Sequence, residues 1–478
     1  MASKFIGKMT PTRVTRIRNA QRLYHTRRIT TISTQRYDEI PEKTEKKEAK
    51  AAPLAPLSGL PTAMLLRSVC INSVSSKPLL LNPALSILSA LCKPNRGFLL
   101  NVDRNPLLHS ILKGTFYKQF CAGETASEVT ATIRHMRKMG FRGTILTYAK
   151  ETVFDHATNT SHGLGVASTD DGGAETCENI AAWAEGTLKT VDLLEEGDQL
   201  ALKLTGAGPL ANARFTAGAL PPPQLLDALH EICRRSAARG ARVVIDAESQ
   251  HFQAGIARAG LELMRAYNRD GHALVYNTYQ AYLKATPDVL AQHLRAAKQD
   301  GFTLGLKLVR GAYLASDERR LMHDSKAATD AAYDGIAGGA LRRQIGEFEG
   351  EAFPGVELIL ASHNRESVVR AHELHRQRVR EGLPTVPVAF AQLHGMSDEV
   401  SFGLLQLGAE GGDGVKPPEV YKCSTWGSLG ECLAYLMRRA AENRDAASRT
   451  ADEYAALKAE VRRRAAAWLS PSRWFGAR

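Results

Sequence analysis

Eight short runs of β-branched and apolar residues recur through the middle of this chain roughly every 40 residues, with a helical pattern between each pair. They lie at 144–148 (TILTY), 200–205 (LALKLT), 243–246 (VVID), 273–279 (ALVYNTY), 304–309 (LGLKLV), 356–362 (VELILAS), 386–392 (VPVAFAQ) and, more weakly, around Val420. The clearest helical segment is 221–240 (PPPQLLDALHEICRRSAARG). It opens on prolines, repeats apolar residues at Leu225, Leu226, Leu229, Ile232, Cys233 and Ala237, and stops on Gly240. Eight strand-then-helix units in a row predict a (β/α)8 barrel, an α/β fold of the TIM type. The competing arrangement, an open doubly wound sheet, has about five or six strands and carries a glycine-rich first turn when it holds a dinucleotide. No GxGxxG follows any of the eight runs, and no GxxxxGK[ST] occurs.

The chain has 478 residues, more than a barrel of ~250 needs, so extensions are expected. Residues 1–37 carry Lys4, Lys8, Arg13, Arg16, Arg18, Arg22, Arg27, Arg28 and Arg36 with no acid before Asp38, which places most of the net charge of +12 there. A segment rich in Arg, Ser and Thr and free of acid at the N-terminus predicts a mitochondrial transit peptide. The alternative, a basic arm for nucleic acid or lipid head groups, calls for interleaved aromatics that do not follow, so no nucleic-acid partner is expected. Residues 38–61 read as a low-complexity Lys/Glu/Ala/Pro linker and 62–140 as a helical arm, including the amphipathic run 126–139 (ASEVTATIRHMRKM) stopped by Gly140. The barrel is expected over 141–447 and a helical tail over 448–478.

No stretch reaches the ~18 uncharged apolar residues of a spanning helix. The most apolar one, Pro78–Cys92, is short and interrupted by Asn82 and Pro83. It suits either attachment to a membrane surface or a helix buried against the barrel. The seven cysteines are scattered, odd in number and without a CxxC pair, a usage that fits a reduced compartment and neither a disulfide framework nor a zinc ribbon.

Barrel catalysis sits at the C-terminal ends of the strands. There the sequence places Lys203, Asp246, Glu248, Gln280, Lys307, Arg310, His363, Asn364, Gln392 and His394. Three chemistries suit such a mouth. Asp246, Glu248, His251 and His363 are a metal-ligating set, although two lysines and an arginine nearby would repel the cation. Lys203 or Lys307 among other cations is a Schiff-base nucleophile of the class I aldolase kind. Lysine, glutamines and histidine around the Gly311–Ala312 bend make a pocket for a polar heterocyclic cofactor. A barrel retained as a non-catalytic binding protein is the remaining alternative.

The last predicted helix reads SLGECLAYLMRRAAENRD. Ser428 and Glu431 form a capping box at its start, and Arg438 and Arg439 lie about three turns inside, within salt-bridge spacing of Glu442. An arginine pair is either a solvated face or a receptor for a substrate carboxylate, whose two oxygens match the planar guanidinium donors.

Taken together, LALKLTG, VVIDAESQ, GLKLVRGAYL, ASHN, AQLHGM and YLMRRAAENRD resemble the proline dehydrogenase family, the FAD enzymes of proline catabolism. The VYKCSTWGS run before the last helix is most like the fungal mitochondrial form, and the likeness runs from about residue 105 to 445. The resemblance implies a distorted (β/α)8 barrel with FAD at the strand ends and the last helix over the barrel mouth. It implies oxidation of L-proline to Δ1-pyrroline-5-carboxylate by hydride transfer to flavin N5, with electrons passed to a quinone of the mitochondrial inner membrane, on whose matrix side the protein would act. Carried over by motif, Lys203, Arg438 and Arg439 bind the proline carboxylate, and Asp246 orders the network near the flavin. Gln280, Lys307, Val309, Gly311, Ala312, His363, Asn364, Gln392 and Glu442 line FAD. Two positions depart from the family pattern. Lys307 stands where bacterial members place Arg, and Cys423 stands where a tyrosine commonly stacks near the substrate, with Tyr421 two residues off. The second departure bears on which ring is preferred.

Overall fold

All eight runs form strands, and the strands close on one another. The computed structural model describes residues 55–92, 97–149, 151–155, 160–164, 177–314, 316–409, 415–445 and 447–469. The expected transit peptide and residues 38–54 of the expected linker lie outside them. The longer helices before the barrel are α1 (Thr62–Ser75), α2 (Pro78–Cys92), α3 (Pro106–Leu112) and α4 (Ala126–Lys138). The strands are β1 (Gly143–Tyr148), β2 (Gln199–Leu202), β3 (Arg242–Ile245), β4 (Val275–Gln280), β5 (Leu304–Val309), β6 (Val356–Ala361), β7 (Val388–Leu393) and β8 (Glu419–Trp426). Between them run α5 (Glu178–Leu193), α6 (Pro223–Ala238), α7 (Gln250–Tyr267), α8 (Thr286–Asp300), α9 (Lys326–Arg342), α10 (Arg365–Arg380) and α11 (Asp398–Ala409), and α12 (Leu429–Asp445) and α13 (Ala447–Leu469) follow β8.

Every strand pairs in parallel with its neighbours in chain order, and the ring closes where β8 returns to β1, with Gly143 beside Tyr421 and Tyr148 beside Trp426. Parallel strands are covered on both faces, which is why the runs are continuously apolar instead of alternating. The outward face, with Leu146, Leu200, Val243, Leu306 and Phe390, packs under the wall helices. The inward face is built largely from smaller side chains, including Ala201, Val244, Ile359, Ala389 and Ala391. Near the N-terminal end of the ring Tyr276 Oη donates to Glu357 Oε2 at 2.5 Å, and Arg242 pairs with the same carboxylate at 3.2 Å. Those charges satisfy one another and close that end, leaving the other for chemistry.

The barrel is distorted at its last unit. The arm helix α4 buries Val129, Ile133 and Met136 in the main core against β1, and after it Phe141 meets Phe402 of α11 edge-on, with centroids 5.6 Å apart. The arm therefore fills wall space beside β1, and α12 is released from the wall. It packs on α2, where Leu81, Leu85 and Leu88 meet Ala440, and on the Lys113–Tyr117 turn. As the resemblance implied, this last helix turns over the mouth.

Two expectations need correction. The 200–205 run leaves the sheet after Leu202, because Glu248 and Thr152 hold Thr205 in a tight Leu204–Ala207 turn. The linker does not extend to residue 61: Leu57 and Leu60 are buried, and Arg464 of α13 donates to both their carbonyls. Two small hairpins had no counterpart in the sequence reading, Glu151–Asp155 with Thr160–Leu164 and Gln344–Ile345 with Phe348–Glu349. Among the described residues no helix is long and apolar enough to cross a membrane.

Candidate active site

The ends of β2, β3 and β5 bring three charges together. Lys307 Nζ donates to Asp246 Oδ1 at 2.7 Å, and Lys203 Nζ lies 3.4 Å from Oδ2. The three side chains are only 10%, 13% and 16% exposed for Lys307, Lys203 and Asp246. Burial pushes the Asp246 carboxyl upward, but the fields of Lys307 and Lys203 outweigh it and hold the group below the usual carboxylate range. An anion bridging two cations offsets their mutual repulsion within one small volume.

Cys423, inward on β8, shows which other groups share that volume. Burial raises its thiol, Asp246 adds to the rise, and Lys307, Lys203 and Arg439 oppose it. Three strands, β8 and the covering helix thus meet at one mouth. Arg439 is buried with its guanidinium 4.9 Å from the centre of the Tyr435 ring, and Arg438 beside it is half-buried. The side chain of Glu442, the expected partner of this pair, lies outside those described. Tyr421 points inward deeper in the barrel, 3.3 Å from Glu419 through its hydroxyl, away from the mouth cluster.

The remaining predicted residues flank the cluster. Gln280 ends β4, buried, and donates to the Glu248 carbonyl at 3.3 Å. Val309 ends β5, and the exposed Gly311–Ala312 backbone follows. Gly311 has φ +137°, and a Cβ there would stand 2.3 Å from the Tyr282 ring, so only glycine fits. His363 lies just beyond the end of β6, and Asn364 caps α10 by accepting the Ser367 N–H at 3.1 Å. Gln392 of β7 donates to the Ser362 carbonyl at 3.2 Å and accepts from Ser401 at 2.9 Å.

Several strand-end residues turn elsewhere. Arg310 binds Asp330 at 2.7 Å, Ser362 at 2.6 Å and Ser367 at 2.8 Å and stacks on Tyr333, fastening the wall helices. Glu248 spends its carboxylate on the Thr205 backbone N–H and hydroxyl. His251 packs edge-on against Phe252. The proposed metal set does not converge, and among the described residues no group of three or more such ligands does. His394 is buried, 3.0 Å from Ser424 Oγ, and burial with the nearby Lys422 pushes it down to about 3, so it is neutral. A Schiff-base reading needs an amine free to attack, whereas both lysines are held by Asp246.

One residue escaped the sequence reading. Asp317, buried after β5, accepts from Ser249 Oγ at 2.8 Å, the Gln250 N–H at 3.1 Å and Tyr282 Oη at 3.1 Å. It ties together the loops after β3, β4 and β5 and so holds the Tyr282 ring on Gly311. No local pattern marks it, since Ser249 is 68 residues away in sequence.

The donor set fits a flavin: ammonium and amide groups at the strand ends, and a backbone bend that bears no side chain at Gly311. Fold and site define an α/β barrel with a cationic, carboxylate-bridged mouth beneath a covering helix. A family model described as proline dehydrogenase matches residues 129–452. The probable mitochondrial proline dehydrogenase of Schizosaccharomyces pombe is 29% identical over 448 residues, covering 84% of this chain and 88% of that protein. Human hydroxyproline dehydrogenase is 30% identical over 419 residues, covering 77% and 86%. Among solved structures, proline utilization A of Bdellovibrio bacteriovorus, inactivated by N-propargylglycine, superposes with a TM-score of 0.56 at 16% identity. It covers 80% of this chain, which spans 38% of that longer protein, and shows the shared fold. The chain belongs to the proline dehydrogenase family.

Proposed function

We propose that this protein is an FAD-dependent dehydrogenase that oxidises L-proline to Δ1-pyrroline-5-carboxylate. The observation that carries the reading is the buried Lys203–Asp246–Lys307 bridge, which together with Arg439 acts on the one Cys423 thiol, in a member of this family. Lys203, Arg438 and Arg439 hold the substrate carboxylate, and their convergence sets which ring carbon faces the cofactor. Asp246 keeps the two lysines from repelling one another and leaves the mouth with a net positive field that draws the anion in. Lys307, Gln280, the Gly311–Ala312 backbone, Val309, His363, Asn364, Gln392 and Glu442 hold FAD. When bound, FAD supplies the acceptor for the hydride that leaves the carbon next to nitrogen. The nitrogen loses its proton as the C=N bond forms, and no strong base is needed.

The proposal extends to a mitochondrial address, a quinone as final acceptor and contact with the inner membrane. The basic, acid-free residues 1–37 and the mitochondrial names of relatives support the address. For membrane contact, α2 buries Leu81, Leu85 and Leu88 while leaving Leu79, Leu80 and Ile87 exposed on a helix without a single charge. A second reading, oxidation of hydroxyproline, is favoured by the small Cys423 at the mouth and by relatives named hydroxyproline dehydrogenase. The test is anaerobic titration of the purified protein with each amino acid. Bleaching of a flavin band by proline supports the proposal, and stronger bleaching by hydroxyproline supports the second reading. A colourless protein that borohydride traps onto a carbonyl substrate overturns both.

A further inference from the structure

The helix that carries the arginine pair is anchored by carboxylates from the arm. Leu429 N–H donates to Glu124 Oε1 at 2.8 Å and Gly430 N–H to Asp103 Oδ1 at 3.1 Å, while Ser428 N–H goes to Glu431 Oε2 of the helix itself at 2.8 Å. Three consecutive amides at the start of α12 therefore each meet an anion, where a single capping oxygen is usual. The fit is close: a Cβ on Gly430 would stand 2.1 Å from Asp103 Oδ2.

Glu124 is itself fixed. Its side chain is 12% exposed, and Oε2 is held by Lys113 at 2.6 Å and His109 at 3.1 Å. Lys113 also reaches Glu128 at 2.7 Å, and Glu128 accepts the Glu124 N–H at 2.9 Å. The same segment grips the chain just before the helix: Ala122 N–H donates to the Thr425 carbonyl at 2.8 Å, and Tyr117 Oη to the Gly427 carbonyl at 2.6 Å.

Arg439 lies ten residues beyond Leu429, about 15 Å along the helix. A tilt of about 4° at the anchor would displace it by about 1 Å, enough to spoil an oriented contact. We propose that Glu124, assisted by Asp103, is a positioning residue for the substrate: it sets the angle of α12 and thereby the place of the guanidinium over the mouth. This rests on the reading of Arg438 and Arg439 as the carboxylate receptor.

The test compares Glu124→Ala, Glu124→Gln and Asp103→Ala with Arg439→Met, all in the full-length flavin-loaded protein. Calorimetry measures binding of tetrahydrofuran-2-carboxylate and of pyrrolidine, which lacks the carboxylate, and turnover gives KM and kcat for proline. Glu124→Ala is expected to weaken the carboxylate ligand about 3- to 10-fold and to raise KM in parallel, with pyrrolidine affinity and flavin content within about twofold of the parent. Glu124→Gln keeps an acceptor for Leu429 and is expected to recover most of the loss. A carboxylate-selective loss in Arg439→Met with none in Glu124→Ala, or with equal losses for both ligands there, overturns the positioning role alone. No selectivity in Arg439→Met overturns the receptor reading and the positioning role with it. If Glu124→Ala does not fold, Asp103→Ala carries the same test: a selective loss supports the anchor, and an unselective one or none refutes it.

Discussion

The two lysines on Asp246 are predicted to contribute unequally, and a pair of double-mutant cycles measures the difference. One cycle combines Lys307→Met with Asp246→Asn, the other Lys203→Met with Asp246→Asn. At an effective dielectric of about 20, shortening a contact from 3.4 to 2.7 Å strengthens the attraction by roughly 1 kcal/mol. The shorter contact also carries a directed hydrogen bond worth about 1 kcal/mol. The Lys307 coupling should therefore exceed that of Lys203 by about 1–2 kcal/mol, since both pairs are similarly buried and bulk screening does not level them. Urea unfolding at pH 7 of the two single lysine variants, the Asp246 variant and both doubles supplies the five differences. Asp246→Asn alone should cost about 3–5 kcal/mol, because it leaves two buried cations without their shared anion. Equal couplings, or a larger one for Lys203, would refute the reasoning, as would an Asp246→Asn variant as stable as the parent.

Other expectations are as direct. Burial and Lys422 hold His394 down to about 3, below its unfolded value near 6.5, so the unfolded chain takes up the proton first. The contribution of His394 is then complete above about pH 6.5 and is lost on acidification at about 1.4 kcal/mol per pH unit until its folded value is reached. A His394→Gln variant should show a shallower fall in urea midpoint between pH 6.5 and 5, and an unchanged slope would count against this. Gly311→Ala combines a positive φ with a 2.3 Å approach to Tyr282 and should cost about 2–3 kcal/mol and lower the bound flavin, whereas Gly271→Ala, with φ +80° and open space, should cost about 1 kcal/mol. Similar thermal midpoints for the two glycine variants would argue against the close approach. Deleting residues 1–37 should leave turnover in vitro intact and abolish import into isolated mitochondria; a truncated protein short of flavin would contradict that division.

The barrel was legible because strands buried on both faces must be apolar throughout, and the helices between them must carry one apolar side. Lys203, Asp246 and Lys307 were legible for a related reason: inward-facing side chains at or just past the C-terminal ends of the strands in such a fold face the mouth. Arg310 shows where that logic stops. One residue past the inward-facing register, it turns outward to Asp330 and Ser367, and nothing in LKLVRGAY distinguishes its direction from that of Lys307. The early end of β2 was equally hidden, since it depends on Glu248 reaching back 43 residues to Thr205.

By itself, then, the sequence determined the eight units, the strand-end chemistry and, through its motifs, the family. The place of α12 over the mouth was legible only through the resemblance, and only the tertiary structure decided that α4 takes wall space beside β1 and that the first turn of α12 is held by Glu124 and Asp103 from 305 and 327 residues away. The physical reason is one of range. Periodicity and capping report the faces and ends of an element to neighbours a few residues distant, whereas the place of that element is set by ring closure and by contacts between segments that share no local signal.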